Sequence, residues 1–153
     1  MNRLGGTQVS HWTRLSGVWD RDRWPNFEPR EFACKHCGQC YWHPRTFTAV
    51  QYIRTAVRKP VIINSGHRCW LHNVGVGGGP KSYHLEMALD ISTRGHDAVK
   101  IYSLMLEAGF TGIGGYRTFL HGDFRGYKAR WYGSEASKVI WKPVFNQPDL
   151  VLA

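Results

Sequence analysis

No stretch of the 153 residues approaches the run of about eighteen apolar residues that a membrane-spanning helix needs. The N-terminal MNRLGGTQVSHWTRL also lacks the apolar core of a secretory signal. Acidic residues are few, eleven Asp and Glu against twenty Lys and Arg, giving a formal charge of +9. Such an excess attracts polyanionic partners at long range. The basic residues are scattered, from Arg14, Arg21 and Arg23 to Arg125, Lys128 and Arg130, and never form a run of five. A basic nucleic-acid arm is thereby disfavoured, and no nucleic-acid partner is expected. Internal repeats and low-complexity tracts are absent, and cysteine is scarce, with four in the chain.

What is present is an ordinary globular composition, 42% apolar and 20% charged, at a length that suits one domain with its own core. Aromatics are plentiful at 14%, with seven Trp. Residues 1–30 are polar and Trp-rich, with Pro25 and Pro29 against a helix, and are expected to form an irregular arm packed by its aromatics, ahead of a domain over 31–153. Beyond Pro44, the spacing of Phe47, Val50, Ile53 and Val57 predicts an amphipathic helix ended by Lys59-Pro60. Val61 to Asn64 and Met87 to Ser92 read as strands, separated by a glycine-rich loop over 75–80. Asp97 to Ala108 reads as a helix presenting Val99, Ile101, Tyr102, Met105 and Leu106 to the sheet, with Gly109 just past its end. Gly112 to Gly115 and Thr118 to Phe124 predict two further strands. The irregular alternation points to an α+β fold with a mainly antiparallel sheet and flanking helices.

Two groups of residues carry chemistry. Cys34, Cys37 and Cys40 form C-x2-C-x2-C in CKHCGQC, and Cys69 follows Arg68. Tight C-x2-C spacing is a recurrent zinc-ligand arrangement, so the four thiols are candidates for a structural metal, a disulfide, or plain reduced packing. In FLHGDF, His121 and Asp123 are two apart, which on a strand puts both on one face. His84 precedes Asp90 by six residues, room for a turn that brings an imidazole back beside a carboxylate on the next strand. Two His and one carboxylate match a catalytic zinc site with a fourth position open.

Read in order, EFACKHCG, PVIINSGHRCWLHN, GVGGGPKSYH, ALDI, FLHGDFRG and the trailing ARW resemble the M15 peptidases, which include zinc D-Ala-D-Ala carboxypeptidases and phage endolysins. The resemblance runs from Glu31 to Trp131. It implies a hedgehog/DD-peptidase-like fold, one Zn2+, and hydrolysis of peptide stems or cross-links in bacterial peptidoglycan. It also implies His84, Asp90 and His121 as metal ligands, Ser82 as a substrate contact, and Arg68 as a group that binds substrate or its developing oxyanion. Asp123 is expected as the general base, with Glu86 as runner-up.

One departure stands out: HLEMALD is one residue shorter than the family's H-x-x-G-x-A-x-D and lacks its glycine. If the strand does not absorb the loss, Asp90 turns to the wrong face. That departure gives weight to an alternative, a catalytically idle wall-binding or structural module of the same fold. A zinc-knuckle nucleic-acid binder would use CKHCGQC and the positive charge but leaves HLEMALD and FLHGDF without a role. With no export signal visible, the chain is expected to be made in the cytoplasm and to reach the wall through a holin or as part of a phage or tail particle.

Overall fold

The computed structural model describes residues 7–9 and 19–148. Strand β1 (Thr7–Val9) pairs antiparallel with β2 (Cys40–Trp42), with Val9 opposite Cys40. Residues 7–9 of the expected irregular arm are therefore a strand, and β2 falls where no strand was read. The arm's later aromatics join the core: Trp19, Trp24 and Phe27 are buried, and Trp19 and Trp24 pack against Phe47 with ring centroids 4.9 and 5.2 Å apart.

Helix α1 (Pro44–Val57) has Pro44 in its first turn, where a missing N–H costs nothing. It buries Phe47, Val50 and Ile53 as its spacing requires. It stops because Arg58 turns left-handed at φ 57°, and that residue's N–H bonds back to Arg54 O. Strand β3 (Ile63–Ser65), short helix α2 (Trp70–Gly75), a 3-10 turn over Tyr83–Leu85 and strand β4 (Leu89–Ser92) follow. Helix α3 (Ala98–Glu107) is capped by Asp97, whose Oδ1 accepts from Val99 and Lys100 N–H at 3.0 and 3.2 Å. Gly109 sits past its end at φ 94°. Ile101, Tyr102 and Met105 are buried and Leu106 is half-buried, but Val99, expected on the sheet side, is 47% exposed. It lies in the helix's first turn.

Strands β5 (Gly112–Gly115), β6 (Phe119–Asp123) and β7 (Ala129–Tyr132) complete a five-stranded sheet of order β3-β4-β6-β5-β7, antiparallel except for the parallel β5–β7 pair. Helix α4 (Glu135–Phe145), capped by Ser134, packs Trp141 and Phe145 into the core. Among the described residues the architecture is thus α+β, with a mostly antiparallel sheet and four α-helices.

The pleat divides this sheet cleanly. Leu89, Ile91, Ile113 and Leu120 are fully buried, in one core with Ile53, Ile101 and Met105. Asp90 lies directly opposite His121 across β4 and β6, so the two side chains share the other face. The shortened HLEMALD turn has been absorbed before β4 begins. Gly66, just after β3, makes a close approach: a Cβ there would lie against the Phe32 carbonyl oxygen, which accepts from His67 N–H at 2.9 Å. Only glycine lets the 32–34 segment rest on this strand end.

Candidate metal centre

On the polar face of the sheet, His84 comes from the 3-10 turn, Asp90 from the middle of β4 and His121 from the middle of β6. His84 Nε2 lies 3.2 Å from Asp90 Oδ1 and 3.2 Å from His121 Nδ1, and the last is 3.4 Å from Asp90 Oδ1. Ligands of one tetrahedral zinc, each about 2.0–2.1 Å from the metal, stand about 3.3 Å apart. The three separations match that figure.

The outer hydrogen bonds decide which lone pairs face inward. His84 Nδ1 is 2.8 Å from Gly66 O, a carbonyl that can only accept, so Nδ1 carries the proton and Nε2 offers a lone pair to the cluster. His121 Nε2 donates to Asp123 Oδ2 at 2.7 Å, so in the neutral ring Nδ1 is the bare nitrogen, and it faces Asp90. With both imidazoles neutral, the form that binds metal, three lone-pair donors converge, an arrangement that a cation relieves. The donor set suits zinc, and the carboxylate and carbonyl behind the imidazoles are the usual supports of ligating histidines.

Asp123 was expected to offer a free carboxylate to the reaction, and neither of its oxygens is free. Oδ2 accepts from His121 Nε2 and from Arg125 Nη2, both at 2.7 Å, while Oδ1 accepts from Arg125 N–H and Nε at 3.1 and 2.8 Å. The side chain is fully buried and lies behind the His121 ring, at the nitrogen remote from Asp90. Burial works against its ionisation, and the Arg125 and His121 hydrogen bonds overcome this to bring it down to about 2. Sharing a face with His121 is what the two-residue spacing gives. Which side of the ring the carboxylate meets is decided by Arg125, which spacing does not reveal. Glu86, the runner-up, is buried and does not line the cleft.

A cleft of about 400 Å³ opens over the cluster. Arg68 reaches it from the segment after β3, half-buried, with its N–H bonded to His84 O at 2.6 Å and its guanidinium packed beside Gly78. Burial lowers the Arg68 pKa, partly countered by the Asp90 charge. Ser82 lines the cleft and also caps the 3-10 turn, its Oγ accepting from His84 N–H at 3.2 Å. Lys81, Tyr116, Arg125 and Trp131 form further wall that the sequence reading did not assign. Trp131 stands 5.0 Å from the His121 ring, admitted by Gly114, where any Cβ would strike the indole. The FRG and ARW segments that follow the last histidine carry two of these residues, but nothing in their spacing tells that β7 folds back beside β5.

The cysteines divide unequally. The Sγ atoms of Cys34, Cys37 and Cys69 all lie within 4.8 Å of one another. Cys40 is apart from them, fully buried, with its Sγ 3.3 Å from Tyr41 O, and burial pushes its thiol up to about 12. All four thiols are free. The expectation of a four-cysteine group thus reduces to three, because Cys40 has already entered β2.

The family model described as Peptidase M15 matches residues 25–123, which takes in the arm's last turn, the cysteine segment and all three converging ligands. No curated protein matches the chain.

Proposed function

Because the chain belongs to the peptidase M15 family, and is in that sense a peptidase, we propose that it is a zinc metallopeptidase hydrolysing the peptide stems or cross-links of bacterial peptidoglycan, with His84, Asp90 and His121 holding the metal. The observation that carries this reading is the convergence of two imidazole lone pairs and a carboxylate at tetrahedral spacing beneath an open cleft. Zinc held there supplies Lewis acidity toward a peptide carbonyl.

The chain's own residues do the rest. Arg68 presents fixed positive charge where an oxyanion develops and binds anionic substrate groups. Lys81 and Arg125 add to a cleft wall on which Asp90 is the sole carboxylate among the described lining residues, which favours substrates bearing free carboxylates, as peptide stems do. Tyr116 and Trp131 give flat apolar walls, and Ser82 holds the turn that aims His84. Asp123 keeps the His121 ring in its ligating tautomer, with Arg125 locking the carboxylate. A phage-borne or particle-borne setting accords with the resemblance to endolysins, and among the described residues no helix is long and apolar enough to cross a membrane.

The same cleft supports a second reading, an idle wall-binding module, because among the described residues no carboxylate besides Asp90 lines it to serve as a base. Incubating purified peptidoglycan with the protein, with and without a chelator and zinc add-back, separates the two. Metal-dependent release of muropeptides is expected, and wall binding without release would establish the idle module instead.

A further inference from the structure

CKHCGQC and the Cys69 to His72 segment meet at the surface beside Arg68, and each half has the same form. Cys34 and Cys37 are separated by two residues, as are Cys69 and His72. The backbone is folded around the sulfurs: Cys34 Sγ accepts from His36 N–H at 3.4 Å and from Cys69 N–H at 3.3 Å, and Cys69 Sγ accepts from His72 N–H at 3.4 Å. Gly38 makes the reversal at φ 75°, and Cys34 N–H and O bond to Gln39 O and Gly38 N–H across it. Amide protons aimed at sulfur stabilise a thiolate, the form that binds metal.

We infer that Cys34, Cys37 and Cys69, completed by His36, hold a second zinc ion. Ligands of a tetrahedral thiolate zinc with one imidazole have a sulfur to nitrogen separation of about 3.6 Å, from bond lengths of about 2.3 and 2.0–2.1 Å. His36 Nδ1 lies 3.5 Å from Cys69 Sγ but outside the 4.8 Å group formed by the three sulfurs, so the ring must turn toward Cys34 and Cys37 to complete the shell. A disulfide would use two of the three converging sulfurs and leave the third with nothing to do, whereas one metal uses all three. His72 stacks on His36 at 6.1 Å and holds that ring from outside. With His36 turned in, the site has four protein donors and no open position, so its role is to fasten the 32–40 turn to the start of α2. Cys69 adjoins Arg68, and the clasp therefore also fixes where the cleft's guanidinium enters.

The inference does not depend on the sheet site, and cobalt substitution keeps the two apart, since sulfur-to-cobalt charge-transfer absorption arises from thiolate ligands alone. Zinc-loaded wild-type protein should contain two zinc ions per chain by elemental analysis, and the His84→Ala/His121→Ala double variant one. Cobalt-loaded protein should show the charge-transfer band in the wild type and in that double variant. Cys40→Ala should keep the band and Cys37→Ser should lose it. His36→Ala should weaken cobalt binding at this site, and His72→Ala should do so less. A folded wild type whose cobalt form has no thiolate band overturns the site, with no variant required. Loss of the band in Cys40→Ala overturns the ligand set, and unchanged cobalt affinity in His36→Ala overturns the fourth ligand.

Discussion

His84, Asp90 and His121 are placed by a sheet: Asp90 and His121 face each other on adjacent strands, and the third ligand is tied to the end of β3 through Gly66 O. Cys34, Cys37 and Cys69 are placed by turns, one reversing at Gly38 and one opening α2. Both groups bring three donors together, yet their surroundings differ. Above the histidines lies a 400 Å³ cleft, and beside the sulfurs lies a fourth donor. A sheet with an open side suits chemistry on a visiting molecule, while a pair of turns gains order from whatever closes it. The comparison teaches that donor count alone does not distinguish a working site from a fastening. The space left on the remaining side does.

The sharpest way to break this contrast is His121→Ala. It should reduce peptidoglycan hydrolysis to background and remove one zinc while leaving the melting temperature of the thiol-clasped fold largely in place, measured on one preparation by muropeptide release, metal analysis and calorimetry. Cys37→Ser should do the reverse in kind, costing more than about 4 kcal/mol of stability, the range seen on losing a metal or disulfide, as read by chemical denaturation. If Cys37→Ser is as stable as wild type, the turns need no clasp.

Asp123→Asn probes the support behind the sheet site. An orienting carboxylate predicts zinc affinity weakened by about 10- to 100-fold, with activity recovering in excess zinc. A general base predicts normal zinc affinity and turnover lower by about 10²- to 10⁴-fold at any zinc concentration. Competition with a chromophoric chelator alongside turnover at graded zinc tells them apart. Cys40→Ala, outside both groups, should cost about 1 kcal/mol, the common size of a buried truncation, with metal content unchanged.

The grouping of His84, Asp90 and His121 was legible in the sequence chiefly through the resemblance to the M15 peptidases, and strand periodicity, which is local, added to it. Two-residue spacing placed His121 and Asp123 on one face, and the strand read over Met87 to Ser92 contains β4 at Leu89–Ser92. What spacing cannot supply is the partner across a gap. Arg125 turns Asp123 away from the cleft, Trp131 arrives from a strand on the far side of β5, and Cys40 is withdrawn by pairing with residue 9, a segment read as irregular. Helix α4 was missed although Ser134 caps it, its Oγ accepting from Ser137 N–H, because Pro143 within its last turns argues against a helix by composition. Proline is tolerated there since Trp141 and Phe145 are held by the core.

The β6–β7 connection, residues 124–128, must carry the chain past β5. Two strand spacings make that crossing about 10 Å, and the link at full stretch reaches roughly 20 Å. The connection is therefore slack, and the pairing of β5 with both neighbours fixes how far the tryptophan strand stands from the histidine strand. Residues added to 124–128 should leave the Trp131 wall where β5 holds it, while removing three cuts the reach to about 10 Å, the bare length of the crossing. The width of the groove is thus set by strand pairing and not by the length of the loop.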